Sequence, residues 1–365
     1  MVDVVRNWFR RTFENPEVVI LGLVLFSGLM MVLLFGRMLA PVFASLVLAY
    51  LLESVVIYLQ RYGLPRLASV FIVFSGFVAG LLVLLFVVAP LLSRQVTQLV
   101  QQIPTYLGEL QEMIQRLPEK YPNLITAEQA SALVDTISTD LGAMGQKLLA
   151  LSLSSVIGLV TLMVFLVLIP LLVFFFLKDK LLIQNWFRSF MPQNRSLVHK
   201  VWQEVDLQIG NYVRGKVLEI LVIGSVTSLA FAALGLQYAV LLGTLTGLSV
   251  LIPYVGATVV TVPVAAVAFF QWGWGADLAW VLVAYGVIQA IDGNVLVPLL
   301  FSEVVDLHPV AIIIAILIFG GIWGFWGVFF AIPLATLVNA VIRAWPRANA
   351  LHTPTTDIET IDPAA

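Results

Sequence analysis

Cysteine is absent from this chain of 365 residues. Its absence excludes disulfides, thiolate metal sites and a cysteine nucleophile. Histidine is scarce: His199, His308 and His352 lie far apart, and none falls into a metal-ligand spacing, so no metal site is expected. Charge is scarce as well. Asp, Glu, Lys and Arg make up 11% of the residues, where a soluble domain carries about a quarter. The formal net charge of −2 argues against a nucleic-acid partner. The HExxH pattern of zinc proteases and the Gly-x-Gly-Asp pattern of intramembrane aspartyl proteases do not occur, and neither an enzymatic role nor a cofactor is expected. One nucleotide-binding signature is incomplete. Residues 210–216 read GNYVRGK, but Val217 stands where a hydroxyl would hold Mg²⁺, and no strand precedes it. Arg214 and Lys216 read instead as anchors of a span at the cytoplasmic interface.

What the chain has is apolar length: 61% of its residues are hydrophobic. A bilayer crossing needs about 20 consecutive apolar residues. By that measure the sequence is an all-α polytopic membrane protein with about eight transmembrane segments, at 18–36, 38–59, 67–92, 153–177, 216–236, 239–270, 277–300 and 309–342. The run at 18–36 is of spanning length, so it reads as a first span and not as a cleavable signal peptide. The sixth and eighth segments are too long for a simple crossing. They are either kinked or strongly tilted spans, or re-entrant hairpins. Eight crossings, or six with two hairpins, place both termini on one side.

Basic residues set the orientation. Arg6, Arg10 and Arg11, then Arg61 and Arg66, the stretch 178–216, and Arg343 with Arg347 are expected in the cytoplasm, and with them both termini. Residues 93–152 fall outside. Within them Val96, Val100, Ile103, Leu107, Leu110, Ile114 and Leu117 recur four and three apart, as do Ala130, Val134, Ile137, Leu141, Met144 and Leu148. Such spacing makes one apolar seam per helix and predicts an extracytoplasmic helical hairpin continuous with the third and fourth spans. Thr126 and Gln129 form a capping-box pattern for its second arm. Apolar positions from Val198 to Tyr212 predict an amphipathic cytoplasmic helix leading into the fifth span. The expected organisation is 1–92, three membrane helices; 93–152, the hairpin; 153–215, the fourth helix and the amphipathic linker; 216–346, a transport core; 347–365, a disordered tail.

Two apolar segments in that core are broken near their middles. Pro253 and Gly256 interrupt residues 249–270; Gly320, Gly321, Gly324 and Gly327 interrupt residues 316–338. Each continues to a proline, Pro263 or Pro333, and each follows one ordinary helix, which reads as a weak repeat of one helix plus one broken segment. Backbone freed from helical pairing must be buried in protein or line a watery cavity, and paired breaks of this kind point to a transport site. Asp292 is the most telling residue at membrane depth, with Gln289 and Asn294 beside it, Gly293 next to it and the helix-breaking Pro298 after it. Tyr254, Glu219, Glu53 and His308 complete the candidates for binding a small-molecule solute or a cation. Glu53 and Glu219 lie nearer helix ends, where a side chain can reach the interface. His308, just before Pro309, reads as a residue that hydrogen-bonds a helix N-terminus.

Together these pieces resemble the autoinducer-2 exporter family of bacterial inner-membrane permeases. The resemblance rests on LIPYVG at 251–256, Ile288 and Gln289 through Asn294, Pro298, Leu307-His308-Pro309, Gly320-Gly321 and Gly327 with AIPL at 331–334. It extends upstream through LAYLLE at 48–53, VFFFLKDK at 173–180 and GKVLE at 215–219, where it is similar to the PerM permease subgroup. The resemblance implies an inner-membrane permease that works in the lipid bilayer as a homo-oligomer. The family is named for export of a small quorum-sensing furanone, and some of its members are linked to sodium or lithium/proton antiport. Three functions stand open at this level. One is a secondary transporter moving a small solute outward without ATP hydrolysis. The second is a sodium (lithium)/proton antiporter using Asp292. The third is a membrane scaffold acting through the 93–152 hairpin.

Overall fold

The computed structural model describes residues 16–120, six positions between 126 and 134, and residues 155–189, 196–253, 255–301 and 308–344. All regular structure among the described residues is helical, as the composition dictates. Residues 302–307, the end of the amphipathic second arm and the tail 347–365 lie outside them.

Helix α1 (Pro16–Arg61) is one uninterrupted helix of 46 residues. The sequence suggested two spans here, divided at Arg37. A single charge cannot reverse a chain, because a reversal needs loop residues that leave the helical region. Pro41 sits inside the helix, and Ser45 Oγ donates to its carbonyl at 2.6 Å. At about 1.5 Å per residue α1 is about 69 Å long, more than a bilayer core of about 30 Å requires. The parity that put both termini on one side counted a reversal between 36 and 38 and loses that support; the basic residues that placed them in the cytoplasm do not depend on it.

A turn with Gly63 at φ +88° leads into α2 (Arg66–Val83). A five-residue π-helical turn (Leu84–Val88) joins it to α3 (Ala89–Lys120), the first arm of the expected hairpin. The capping box of the second arm is formed: Thr126 N donates to Gln129 Oε1 at 3.1 Å, and Gln129 N to Thr126 Oγ1 at 3.3 Å. Then follow α4 (Ser155–Lys178), α5 (Lys180–Ser189) and α6 (Ser196–Ala233), which runs the amphipathic linker and the fifth span together.

Both broken segments fold back as helical hairpins. The first is α7 (Ala239–Ser249) and α8 (Val255–Trp272). Its two ends meet at the base, where Gln237 N donates to Gln271 Oε1 at 2.8 Å and Gln271 Nε2 to Gly235 O at 2.9 Å. At its tip a Cβ on Gly256 would lie 1.8 Å from Ser249 O. Next come α9 (Ala276–Ile291), a second π turn (Asp292–Leu296) and α10 (Val297–Phe301). The second hairpin is α11 (Pro309–Trp323) and α12 (Phe325–Ala344), turned at Gly324 with φ +59°. A Cβ on Gly327 would lie 1.8 Å from Phe319 O. The order of one helix then one hairpin thus occurs twice.

Each π turn ends two residues before a proline, Pro90 or Pro298. Proline has no N–H, and its ring clashes with the carbonyl four residues back; a wider i→i+5 turn relieves the ladder just ahead of it.

Among the described residues, five helices are long and apolar enough to cross a membrane: Met38–Arg61, Arg66–Arg116, Gln208–Ala233, Val255–Trp272 and Ala276–Phe301. Four apolar helices are shorter: Met163–Lys178, Ala239–Ser249, Pro309–Trp323 and Phe325–Asn339. The membrane class is as expected; among the described residues the count of eight spans is not confirmed. Large apolar residues on the outside, such as Phe86 and Leu299, belong in lipid. One core joins α1, α2 and α4 through Val56, Val70 and Val173. A second forms around the first hairpin with Phe231, Val264 and Tyr285. A third joins α6, α10 and the second hairpin through Tyr212, Phe301 and Phe329.

Candidate functional site

Helix α6 carries Lys216 and Glu219 one turn apart, and both are buried. Their ion pair closes at 2.7 Å, with 5% and 2% of the side chains exposed. Lys216 Nζ also donates to the carbonyl of Val250 at 2.9 Å, which is the residue that ends α7 at the tip of the first hairpin. The same ammonium lies 5.1 Å from the centre of the Phe301 ring on α10. One side chain therefore ties a crossing helix to a hairpin tip and to the end of the next crossing.

The glycines of α7 explain how the tip comes within reach. A Cβ on Gly247 would lie 2.7 Å from Ile220 O and 2.8 Å from Gly224 Cα, both on α6. Gly243 and Gly247, four apart, make the small-residue face that lets two helix backbones touch in a membrane. Gly215 makes room in the same way for Phe301, whose ring a Cβ there would meet at 2.8 Å.

Asp292 reaches this centre from the other half of the repeat. It begins the second π turn, is buried, and interacts electrostatically with Lys216 and Glu219. Its Oδ1 makes no hydrogen bond among the described residues, and neither does Gln289 Nε2 one turn earlier or the Tyr212 hydroxyl one turn before Lys216. Tyr212 packs against Phe301 and Phe329, so the second hairpin borders the same centre. An unpartnered buried polar atom costs about 1–3 kcal/mol. Here such atoms accompany two buried carboxylates and a single ammonium, which is paired with Glu219.

The sequence candidates separate into those that meet and those that do not. Asp292 and Glu219 meet at Lys216, and Gln289 lies one turn before Asp292. Asn294 is exposed and donates back to Ala290 O at 2.9 Å. Glu53 neither joins them nor snorkels. It is buried and accepts from both terminal nitrogens of Arg66, at 3.1 and 3.3 Å, and from Lys180 at 3.1 Å. Arg66 also donates to Leu177 O at 2.8 Å, so Glu53 fastens α1, α2 and the α4–α5 junction. His308 caps α11, its Nδ1 accepting from Val310 N at 3.3 Å. Tyr254 lies outside the described residues. Pro253 lies in the tip of the first hairpin, and its carbonyl accepts from Val255 N at 2.7 Å. Gly293 and Pro298 lie in and just after the second π turn. Gly320 and Gly321 end α11, and a Cβ on Gly320 would meet Val328 at 2.9 Å. Pro333 lies buried within α12, its carbonyl accepting from Thr336 Oγ1 at 2.8 Å.

Lys216 is the residue that sequence reasoning misplaced. Next to Arg214 it looks like half of an interfacial anchor. Arg214 does stay exposed, bonding Ser54, Asn211 and Gly210, but Lys216 points inward. The signal was Glu219 one turn later, because an isolated acid in an apolar helix needs a partner on its own face. Among the described residues no group of acidic or histidine side chains is placed to hold a metal ion.

The sequence matches known proteins over nearly its whole length. The family model for AI-2E family transporters matches residues 19–347. The chain is 47% identical over 346 residues to a protein of Escherichia coli K12 named as a permease, PerM, covering 95% of this chain and 98% of that one. It is 26% identical over 305 residues to a Bacillus subtilis protein named as a transport protein, YueF, covering 82% of each. To the AI-2 transport protein TqsA of Escherichia coli K12 it is 23% identical over 337 residues, covering 88% of this chain and 92% of that one. The chain belongs to the AI-2E transporter family.

Proposed function

We propose that this membrane protein is a secondary transporter that moves a small solute outward across a bacterial inner membrane without ATP hydrolysis. In this reading the path passes the centre formed by Lys216, Glu219 and Asp292. The single observation that carries the reading is the charge count at that centre, one ammonium between two buried carboxylates, with Asp292 Oδ1 unpartnered. A proton or a monovalent cation supplies the missing charge. Its arrival competes with Lys216 for the carboxylates and so changes the grip of Lys216 on Val250, which couples occupancy to the position of the hairpin tip. The two hairpins and the two π turns supply the unpaired backbone groups and hinges such movement needs. The basic stretch 178–214 faces the cytoplasm in this reading. A solute of the class named for TqsA is the first to test.

A second reading has its own support. The unpartnered oxygen of Asp292 suits sodium or lithium exchange for protons with no organic solute at all.

The path through the centre is tested by substituted-cysteine labelling. The chain has no cysteine of its own, so Gln289→Cys reports alone. A membrane-impermeant thiol reagent is expected to label it in proteoliposomes at fixed pH, and sodium to slow the labelling. A folded variant that stays unlabelled from both sides and in every condition contradicts the proposal.

A further inference from the structure

The first hairpin has a second end. Its tip meets Lys216, while its base faces α3. Gln95 Oε1 accepts the amide of Leu241 at 2.8 Å and so caps the start of α7. The Tyr106 ring stacks on Phe270 with centroids 4.5 Å apart. Between α3 and the base lies a cleft of about 540 Å³. Its walls carry Gln98, Gln101 and Gln102 from α3, and Gln237 and Tyr238 from the turn before α7, with no charged side chain among its lining. Helix α7 spans 11 residues, about 16 Å at about 1.5 Å per residue, which separates this cleft from the charged centre at the tip.

The walls have a definite chemistry. Each glutamine amide offers two N–H donors and a carbonyl acceptor. The side chains of Gln98, Gln101, Gln102 and Gln237 spend none of these on other described residues. An ion entering the cleft would find no counter-charge on its walls. Hydroxyl groups, each both donor and acceptor, match a wall of amides. Tyr238 adds a second observation: it is the one non-glycine residue with positive φ, +57°, among the described residues. Backbone held in the left-handed region gathers at ligand-binding turns.

We propose that the cleft between α3 and the base of the first hairpin binds a neutral, hydroxyl-rich solute. The hydroxyls can belong to a free polyol or to the headgroup of a glycolipid. Because Gln95 and Tyr106 join α3 to the hairpin base, an occupant bridging the two walls also ties the extramembrane arm to the element whose tip Lys216 holds.

The test is saturation-transfer NMR on the full chain in nanodiscs, with sorbitol and gluconate as probes; the second replaces one hydroxymethyl group of the first by a carboxylate. Sorbitol is expected to receive saturation and gluconate not. The double variant Gln98→Ala/Gln102→Ala lies on an exposed face and leaves the Gln95 cap in place. It is expected to weaken sorbitol binding about fivefold for each hydrogen bond lost. Adding glucosyl diacylglycerol to the bilayer separates the two sources: displacement of sorbitol assigns the cleft to a headgroup, undisturbed sorbitol to a free solute. No transfer to sorbitol, equal transfer to gluconate, or unchanged affinity in a variant with native thermal unfolding would each overturn the proposal.

Discussion

Lys216 Nζ and the carbonyl oxygen of Val250 are 2.9 Å apart, a bond that runs from the interior of α6 to the tip of the first hairpin. It exists because three features coincide. Gly243 and Gly247 let α7 touch the backbone of α6. Val250, the C-cap of α7, offers its carbonyl outside the helix. Glu219 holds the ammonium in the apolar interior.

Lys216→Met removes the ammonium and strands Glu219. Breaking a buried pair by taking one partner costs about 3–5 kcal/mol, while replacing both partners with apolar residues costs much less. Lys216→Met is therefore expected to unfold at markedly lower temperature than wild type, and Lys216→Met/Glu219→Leu to recover most of the difference. Both variants are expected to be inactive in transport. Equal stability of the wild type and the single variant would mean that the pair does not exist in the membrane.

Gly247→Ala inserts a methyl group where the nearest atoms are the backbone of Ile220 and Gly224. Backbone cannot swing aside as a side chain can, so α7 must move outward, at a cost of about 1–3 kcal/mol. Gly286→Ala is the control, since a Cβ there meets nothing within 4 Å. Thermal unfolding followed by tryptophan fluorescence should show the loss at Gly247 alone.

Glu53→Gln tests whether the acid at the α1–α2–α4 junction is structural. Its partners Arg66 and Lys180 are 30% and 36% exposed, so solvent screens the pair. The expected cost is about 1–2 kcal/mol, with the sodium and proton dependence of transport unchanged. A shifted ion dependence in Glu53→Gln would place this carboxylate in the transport cycle.

His308→Ala removes a side chain that caps α11 from the surface. A lost cap costs about 1 kcal/mol. The pH profile of transport should not move, and a changed profile would give the imidazole a role that its capping bond does not explain.

These variants also show what was readable in the sequence. The hairpins were, because Pro253 with Gly256, and Gly324 with Gly327, break helices in a way only a few geometries allow. Even so, a kinked span and a hairpin share those residues. The hydrogen bond from Gln237 to Gln271, 34 positions apart, decides between them. Asp292 was legible as an acid at membrane depth. The burial of Lys216 was not, since its orientation depends on the Gly243–Gly247 face that draws Val250 toward it. The role of Glu53 was hidden for a related reason: Lys180 is 127 positions away along the chain. The continuity of α1 was misread because Arg37 was treated as a boundary, although a helix can carry one charge without ending. The glutamines at 95, 98, 101 and 102 read only as the polar face of an amphipathic arm. Their meaning depends on what lies across from them.

The measurement that bears most directly on the central claim is ion flux through purified protein in proteoliposomes, with wild type and Asp292→Asn side by side. The substitution keeps the shape of the side chain and removes its charge, so folding should survive. The account predicts proton or sodium movement in the wild type and the protein-free rate in Asp292→Asn. Full flux in the folded variant would show that the centre of Lys216, Glu219 and Asp292 is a structural tie and not the site of transport.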